Sequence, residues 1–284
     1  MHRPNQLSYD RHEGRNKMNN EKLSVAALVS AGWSPKDGDP LAEYTGNGPK
    51  ALIPIAGKPM VAHVVDALAG SRYVDHIIVI SLSPEDDVSF SSTVEYVPDA
   101  GNILANAEAG MNHVIAHHPD VDAVILCTSD IPTITPAIID AFIEECMRTD
   151  HDLYYSIVER SVMETRFPNS RRSYVHLREG DFAGGDVFLA RPSLAMKDRD
   201  LWLKVAEARK NALKQVLMVG LLPFLKLITH RLSIAEAEQR ASKAFNIKAK
   251  AIPFTHAEVG MDVDKPFQLE IVRAELEARS TSTQ

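Results

Sequence analysis

The strongest constraint on the fold is an alternation. Short apolar runs of the kind that form buried strands are separated by segments whose apolar residues recur every three or four positions. Residues 23–29 are rich in small and β-branched side chains and end at Ser30-Ala31-Gly32, as expected of a strand covered on both faces and running into a loop. Residues 76–82 (HIIVISL) and 123–127 predict two further buried strands, and 93–97 a shorter one. Between them, Met60, Val61, Val64, Val65 and Leu68 have helical spacing after Lys58-Pro59, where proline is tolerated in a first turn. Ile103, Leu104, Ala107, Met111, Val114 and Ile115 repeat that spacing over 102–117. A βαβαβ order predicts an α/β fold with a Rossmann-like, doubly wound mixed sheet. Its ligand site should lie beyond the carboxyl ends of the strands.

The later chain continues the pattern, with a helix over 136–148, strands over 153–159, 185–190 and 248–253, and a final helix over 266–278. Between about 192 and 246 the character changes to a helical insertion containing the apolar block 216–228, VLMVGLLPFLKLI. That block is too short to span a bilayer, which needs about 20 apolar residues. Lys214, Lys226, His230 and Arg231 frame it without forming a continuous basic face, so burial is favoured over a membrane-surface or dimer contact. Residues 1–20 are polar and read as a disordered leader, leaving 21–284 as the domain.

Composition narrows the partners. With 284 residues, 45% hydrophobic and 24% charged, the chain can fill one large α/β core. Cys127 and Cys146 can build neither a disulfide framework nor a cysteine-based zinc site, so a reducing cytoplasm is the default compartment. A formal charge of -7 argues against nucleic acid and in favour of a small-molecule partner.

The chemistry gathers in a few places. Pro35, Gly38, Pro40, Gly46, Gly48 and Pro49 predict a long loop after the first strand, and long loops in compact domains are usually functional. The stretch that follows, GPKALIPIAGKPM over 48–60, ends that loop with Lys50. Backbone N–H groups of a glycine-bearing loop can face a triphosphate, and Lys50 could add charge; on spacing alone an ordinary surface lysine fits equally well. Asp130 follows a buried strand and precedes Ile131-Pro132, a presentation that suits a Mg²⁺ ligand, because Mg²⁺ takes one or two carboxylates plus substrate phosphates. Thr135, before Pro136, is the better cap for the next helix. Asn102 is placed to cap the helix that follows, and Gly184-Gly185 to make a tight turn or to let a backbone approach a ligand closely.

Val29-Ser30-Ala31-Gly32 followed by GPKALIPIAGKPM resembles the amino-terminal signature of the MobA-like NTP transferase (nucleotidyltransferase) family, roughly LAAGxGxRM…PKxLxxxxGKPM. Ser129-Asp130-Ile131-Pro132 is similar to the family's G-D-x-P element. Gly184-Gly185 precedes a strand as in the family, and Gly260-Met261-Asp262-Val263-Asp264-Lys265-Pro266 is similar to its D-x-D-T-P-E-D-L close. The nearest branches are molybdenum-cofactor guanylyltransferases and sugar-phosphate nucleotidyltransferases. The resemblance implies a GT-A-like nucleotidyltransferase fold and Mg²⁺-dependent transfer of NMP from an NTP to a phosphorylated small-molecule acceptor, with release of pyrophosphate. It implies phosphate contacts from Ala31, Gly32 and Lys50, and base contacts from Gly101, Asn102 and Asn106. Gly184 and Gly185 would meet the acceptor, and Asp130 would hold the metal with Asp262 slightly ahead of Asp264.

One departure counts against the pattern. Trp33-Ser34-Pro35-Lys36-Asp37-Gly38 replaces the family's Gly-x-Gly-x-Arg, so the usual arginine is absent, and either Lys36 substitutes for it or catalysis is weakened. A non-catalytic nucleotide-binding homologue is therefore an alternative. A GT-A glycosyltransferase is another, although it would normally carry Asp-x-Asp where this chain has Ser129-Asp130.

Overall fold

The computed structural model describes residues 23–32, 40–46, 48–196 and 229–282; the expected leader, Lys36 and the apolar block 216–228 lie outside them. In chain order the elements are β1 (Val25–Ser30), the single turn α1 (Ala42–Thr45), β2 (Pro54–Ile55), β3 (Lys58–Pro59), α2 (Met60–Ala69), β4 (Val74–Ile80), β5 (Glu95–Val97) and α3 (Ile103–His117). There follow β6 (Ala123–Thr128), α4 (Pro136–Met147), β7 (Leu153–Glu159), α5 (Arg160–Arg166), β8 (Val175–Leu177), β9 (Gly180–Ala190), α6 (Ile234–Phe245), β10 (Ala249–Pro253) and α7 (Pro266–Ser282).

The strands form one eight-stranded sheet in the order β10-β7-β9-β6-β1-β4-β5, with β8 flanking β9. β1 lies parallel to both β4 and β6, and β5 parallel to β4. β9 runs antiparallel to β6 and to β7, while β10 is parallel to β7. The sheet is thus mixed and doubly wound, as its alternating pattern predicts. The reversal at β9 brings the start of that strand to the carboxyl ends of β6 and β7, so β9 can contribute side chains to the same edge.

Two-sided burial explains the strand sequences. Val25, Ala27 and Val29 pack with Val64, Leu68, Phe142 and Leu269 of α2, α4 and α7. Ala26 and Leu28 face the other way, onto Ile78, Ile80 and Val114. A strand with no solvent face must be apolar at every position. Burying a side chain of the size of Leu28 contributes about 1.5–3 kcal/mol, so a charge placed in β1 would break the sheet at its centre. The Asn102 side chain caps α3 by accepting from Leu104 N and Ala105 N, and Thr135 caps α4 by accepting from Ile138 N.

Among the differences from the sequence reading, three lie near the carboxyl edge of the sheet. β4 stops at Ile80 because Ser81 adopts a left-handed φ of 74°, turning the chain out of the sheet. β9 starts at Gly180, so Gly184-Gly185 lies inside a strand and does not introduce one. There the strand crosses an irregularity in β7 between Tyr155 and Ile157, and a Cβ on Gly185 would fall on the Ser156 side chain. The third concerns the lysine-bearing stretch, which folds a short hairpin: β2 and β3 pair around Ala56 (φ 46°) and Gly57 (φ 85°), the two left-handed residues a two-residue hairpin turn requires.

Candidate active site

Lys50 opens a 3-10 turn, Lys50–Leu52, just before that hairpin. Leu52 N bonds Pro49 O at 2.9 Å and Ile53 N bonds Lys50 O at 3.1 Å, so the backbone around the lysine is fixed. Its Nζ donates to Asp130 Oδ2 at 2.6 Å and to Asp264 Oδ1 at 2.7 Å. Burial around the ammonium opposes its charge, but Asp130 and Asp264 outweigh that effect and hold Lys50 above the usual lysine range. The lysine is therefore a fixed cation between two carboxylates.

Strand ends place the acidic partners. Ser129 N bonds Ser30 O at 3.0 Å, extending the β1–β6 pairing past the sheet and presenting Asp130 at its carboxyl edge. Val263 N donates to Asp130 O at 2.9 Å, which docks the closing acidic segment onto the same spot. Carboxylate oxygens of Asp130, Asp262 and Asp264 consequently lie within 4.8 Å of one another. Asp130 Oδ1 is buried without a hydrogen-bond partner. Such an orphaned anionic oxygen is costly unless something else supplies charge, and a carboxylate trio around it fits a hard cation such as Mg²⁺.

Two residues with no prior assignment complete this cluster. Arg172, from the segment between α5 and β8, forms an ion pair through Nη1 with Asp262 Oδ1, and its Nε is buried without a hydrogen-bond partner. Gln268 staples this region together, accepting from Asp264 N at 3.0 Å and donating to Ser170 O at 3.4 Å. Asp186 is the other. Burial, then the neighbouring charge of Asp130, pushes its carboxyl up to about 7. A charged residue inside an otherwise apolar strand, FAGGDVFLA, was the available signal for Asp186; Arg172 has no comparable mark in the sequence.

On the opposite side of β1 a second network forms. Asn106 is buried, donates through Nδ2 to Ser81 Oγ at 3.0 Å and Asp99 Oδ1 at 2.8 Å, and accepts from Ala100 N at 2.6 Å. Its amide is thereby engaged within the protein, where it shapes the 99–101 loop. The bonds from Asn106 and then Ser81 hold the Asp99 carboxyl below the usual range. A Cβ on Gly32 would come within 3.0 Å of Asn106 Nδ2 and 3.2 Å of Ser81 Oγ, so the exit from β1 runs against this network. Ala31 is pinned beside it by a 3.0 Å bond from its N to Ile80 O. Gly101 turns with φ 93°, and Asn102 stays exposed as the α3 cap.

The expected residues thus fall into two groups along one edge. Lys50, Asp130, Asp262 and Asp264 come together; Ala31, Gly32, Gly101, Asn102 and Asn106 form the neighbouring group. Gly184 lies by the first group, since a Cβ on Gly260, in the turn before Asp262, would sit 3.4 Å from Gly184 O. Ser30, Thr128 and Asp186 also border a cavity of about 320 Å³ under α3, with Leu104, Met111 and Phe188 among its apolar walls.

The polar network beyond β1 and the acidic, lysine-bridged cluster beyond β6 lie at the carboxyl ends of the strands of a doubly wound sheet, where folds of this class bind their ligands. A family model for the MobA-like NTP transferase domain matches residues 41–219, and the chain belongs to that family of nucleotidyltransferases. A structure titled as a hypothetical transferase from Thermus thermophilus is 33% identical, with a TM-score of 0.76, covering 87% of this chain and 100% of that one. Bifunctional protein GlmU from Sinorhizobium fredii is 30% identical over 122 residues, 41% of this chain and 25% of the relative. A molybdenum cofactor guanylyltransferase from Bradyrhizobium sp. is 29% identical over 115 residues, 40% of this chain and 54% of that one. The matched region thus spans a quarter of GlmU and about half of the guanylyltransferase.

Proposed function

We propose that the protein transfers a nucleoside monophosphate from an NTP to a phosphorylated small-molecule acceptor, releasing pyrophosphate. The observation that carries this reading is Lys50 Nζ bridging Asp130 and Asp264 while Asp130 Oδ1 stays buried and unpartnered. Asp130 and Asp264 are the side chains that would hold Mg²⁺, whose contribution is to neutralise charge on the phosphates. Asp262, ahead in the motif, is committed to Arg172, and both side chains of that pair are largely shielded (13% and 15% side-chain exposure). Asp264 is 57% exposed and can exchange its lysine partner at lower cost.

Lys50 then has a second role. Released from one carboxylate, its ammonium turns toward the triphosphate beside the backbone of Ala31-Gly32, while the 99–101 loop shaped by Asn106 receives the base. Arg172, with its buried Nε, supplies positive charge on the acceptor side beside Gly184. An acceptor phosphate oxygen attacks the α-phosphorus in line, the bond to the bridging oxygen breaks, and pyrophosphate leaves with that electron pair. Because the attacking phosphate is already ionised, no general base is needed, and positioning with electrostatic stabilisation does most of the work.

The test is pyrophosphate release from each of the four NTPs against sugar phosphates, alditol or inositol phosphates and molybdopterin, with and without Mg²⁺. Turnover of one pair, lost on removing Mg²⁺ and in Asp130→Asn, supports the proposal. NTP binding without turnover across the whole screen would instead favour a non-catalytic nucleotide-binding protein.

A further inference from the structure

A second cluster of ligating side chains lies toward the opposite end of the sheet from the acidic site. His76 sits early in β4, where it pairs with Ala26; Glu95 opens β5, where it pairs with Ile78; and His113, His117 and His118 crowd the carboxyl end of α3. The amino end of that helix, at Asn102, belongs to the candidate active site, so the helix length separates the two clusters.

Glu95 is shared. Its Oε1 lies 2.7 Å from His118 Nε2 and its Oε2 2.7 Å from His113 Nε2. His76 stacks on His118 with ring centroids 3.7 Å apart and planes 21° apart, and His113 stacks on His117 at 4.2 Å. Nitrogen atoms of His76 and His118 and an oxygen of Glu95 lie within 4.8 Å of one another. Two imidazole nitrogens and a carboxylate oxygen this close together, held by two strands and a helix end, offer a cation a compact donor set. The location adds a second attraction for a cation, because the last carbonyls of α3 carry the negative end of the helix dipole.

We infer that His76, Glu95 and His118 form a binding site for a late first-row divalent cation, zinc by the chemistry of its donors, with His113 orienting the carboxylate from behind. Two imidazoles and one carboxylate are the donor set that zinc accepts with a fourth position left to solvent. Mg²⁺ and Ca²⁺ prefer oxygen ligands, so this cluster and the acidic trio select different ions. The bond from His113 to the second carboxylate oxygen is the outer-shell contact that typically fixes a metal-bound carboxylate. Bound zinc would tie β4, β5 and α3 together and would touch none of the residues assigned above to nucleotide transfer.

The full chain, stripped with chelator and kept in millimolar Mg²⁺ to cover the acidic trio, is titrated with Zn²⁺ against a chromophoric chelator at pH 7.5. One tightly held equivalent is expected in the parent and in Asp130→Asn, and it should be lost in His76→Ala and His118→Ala. His113→Ala should keep the equivalent but bind it about tenfold or more weakly. Co²⁺ added to the stripped parent provides an independent readout that needs no variant to fold: a strong visible absorption from a four-coordinate, nitrogen-containing site is expected. No zinc equivalent in the parent, an equivalent that survives in folded His76→Ala, or a weak octahedral Co²⁺ spectrum would each overturn the inference.

Discussion

Asp130 and Asp140 are almost equally sheltered, with 14% and 11% of their side chains exposed, yet their surroundings are opposite. Asp140 Oδ1 accepts from Ser71 Oγ at 2.6 Å and Arg72 N at 3.0 Å, and its Oδ2 accepts from Arg72 Nε at 2.8 Å. Asp130 has one oxygen bonded to a single lysine and the other bonded to nothing among the described residues. A carboxylate that the fold has satisfied is holding the fold together. One left partly unsatisfied is stabilised poorly by its own protein and is available to a ligand.

The sharpest way to break this contrast is to neutralise each residue. Asp130→Asn should lower kcat/KM for nucleotidyl transfer on the order of 10³-fold, the several kcal/mol a metal-bound charge supplies, while Tm stays level or rises. Lys50→Ala should follow at about 10²-fold, again with the fold intact. A large fall in Tm for either variant, with activity per folded molecule unchanged, would place Asp130 and Lys50 in the class of Asp140.

Asp140→Asn should do the reverse, costing about 2 kcal/mol of stability in chemical denaturation with kcat/KM within about twofold of the parent. Its pH dependence follows from the same bonds. Burial opposes the charge on Asp140, but Arg72 and Ser71 outweigh it and hold the carboxyl below the usual range. The stabilisation is therefore fully present above the ordinary carboxylate range and is lost as pH falls through the folded value. The Tm gap between parent and Asp140→Asn should be widest near neutrality and close in acid; a gap independent of pH would remove ionic bonding as its cause.

A smaller effect separates the two carboxylates next to Asp130. Asp264→Asn should raise the Mg²⁺ concentration for half-maximal activity by about tenfold, the 1.4 kcal/mol equivalent of one weakened ligand. Asp262→Asn should act chiefly on Tm, because it leaves the largely shielded Arg172 beside a neutral partner. If the two variants exchange these signatures, Asp262 is the second ligand. Smallest of all, Asn102→Ala should cost about 1 kcal/mol through the lost α3 cap, whereas Asn102→Asp keeps the cap. Weaker NTP binding in Asn102→Asp at unchanged Tm would add a base contact to that role.

Much of the fold was legible because it depends on burial that is local in sequence. β1, β6 and β7 are apolar runs of the right length, and the caps at Asn102 and Thr135 stand directly before periodic helices. Pairing partners over long separations were not legible. Nothing in FAGGDVFLA states that β9 reverses between β6 and β7, so the glycine pair reads as a turn when it lies within a strand against Ser156. The site divides in the same way. Lys50 and Asp130 stand in motif-like settings, whereas Arg172 gains meaning solely from its ion pair with Asp262, 90 residues away in the chain (262 less 172). Asn106 reads in the sequence as a base contact, whereas in the structure its amide is engaged by Ser81 and Asp99, contacts that no spacing rule in α3 anticipates.

In the proposed function, the lysine bridge also sets when the protein becomes competent. Lys50 meets Asp130 across 80 residues but Asp264 across 214, and the segment bearing Asp264 is docked by the Val263 bond to Asp130. During synthesis the β1, β4 and β6 strands leave the ribosome long before that segment exists. On that reading, the edge beyond β1 can begin to form before the acidic cluster is complete. Transfer as proposed waits on the segment bearing Asp264, and a chain cut short before it would also lose α7, whose Leu269, Val272 and Leu276 belong to the same core cluster as Val25, Ala27 and Val29 of β1.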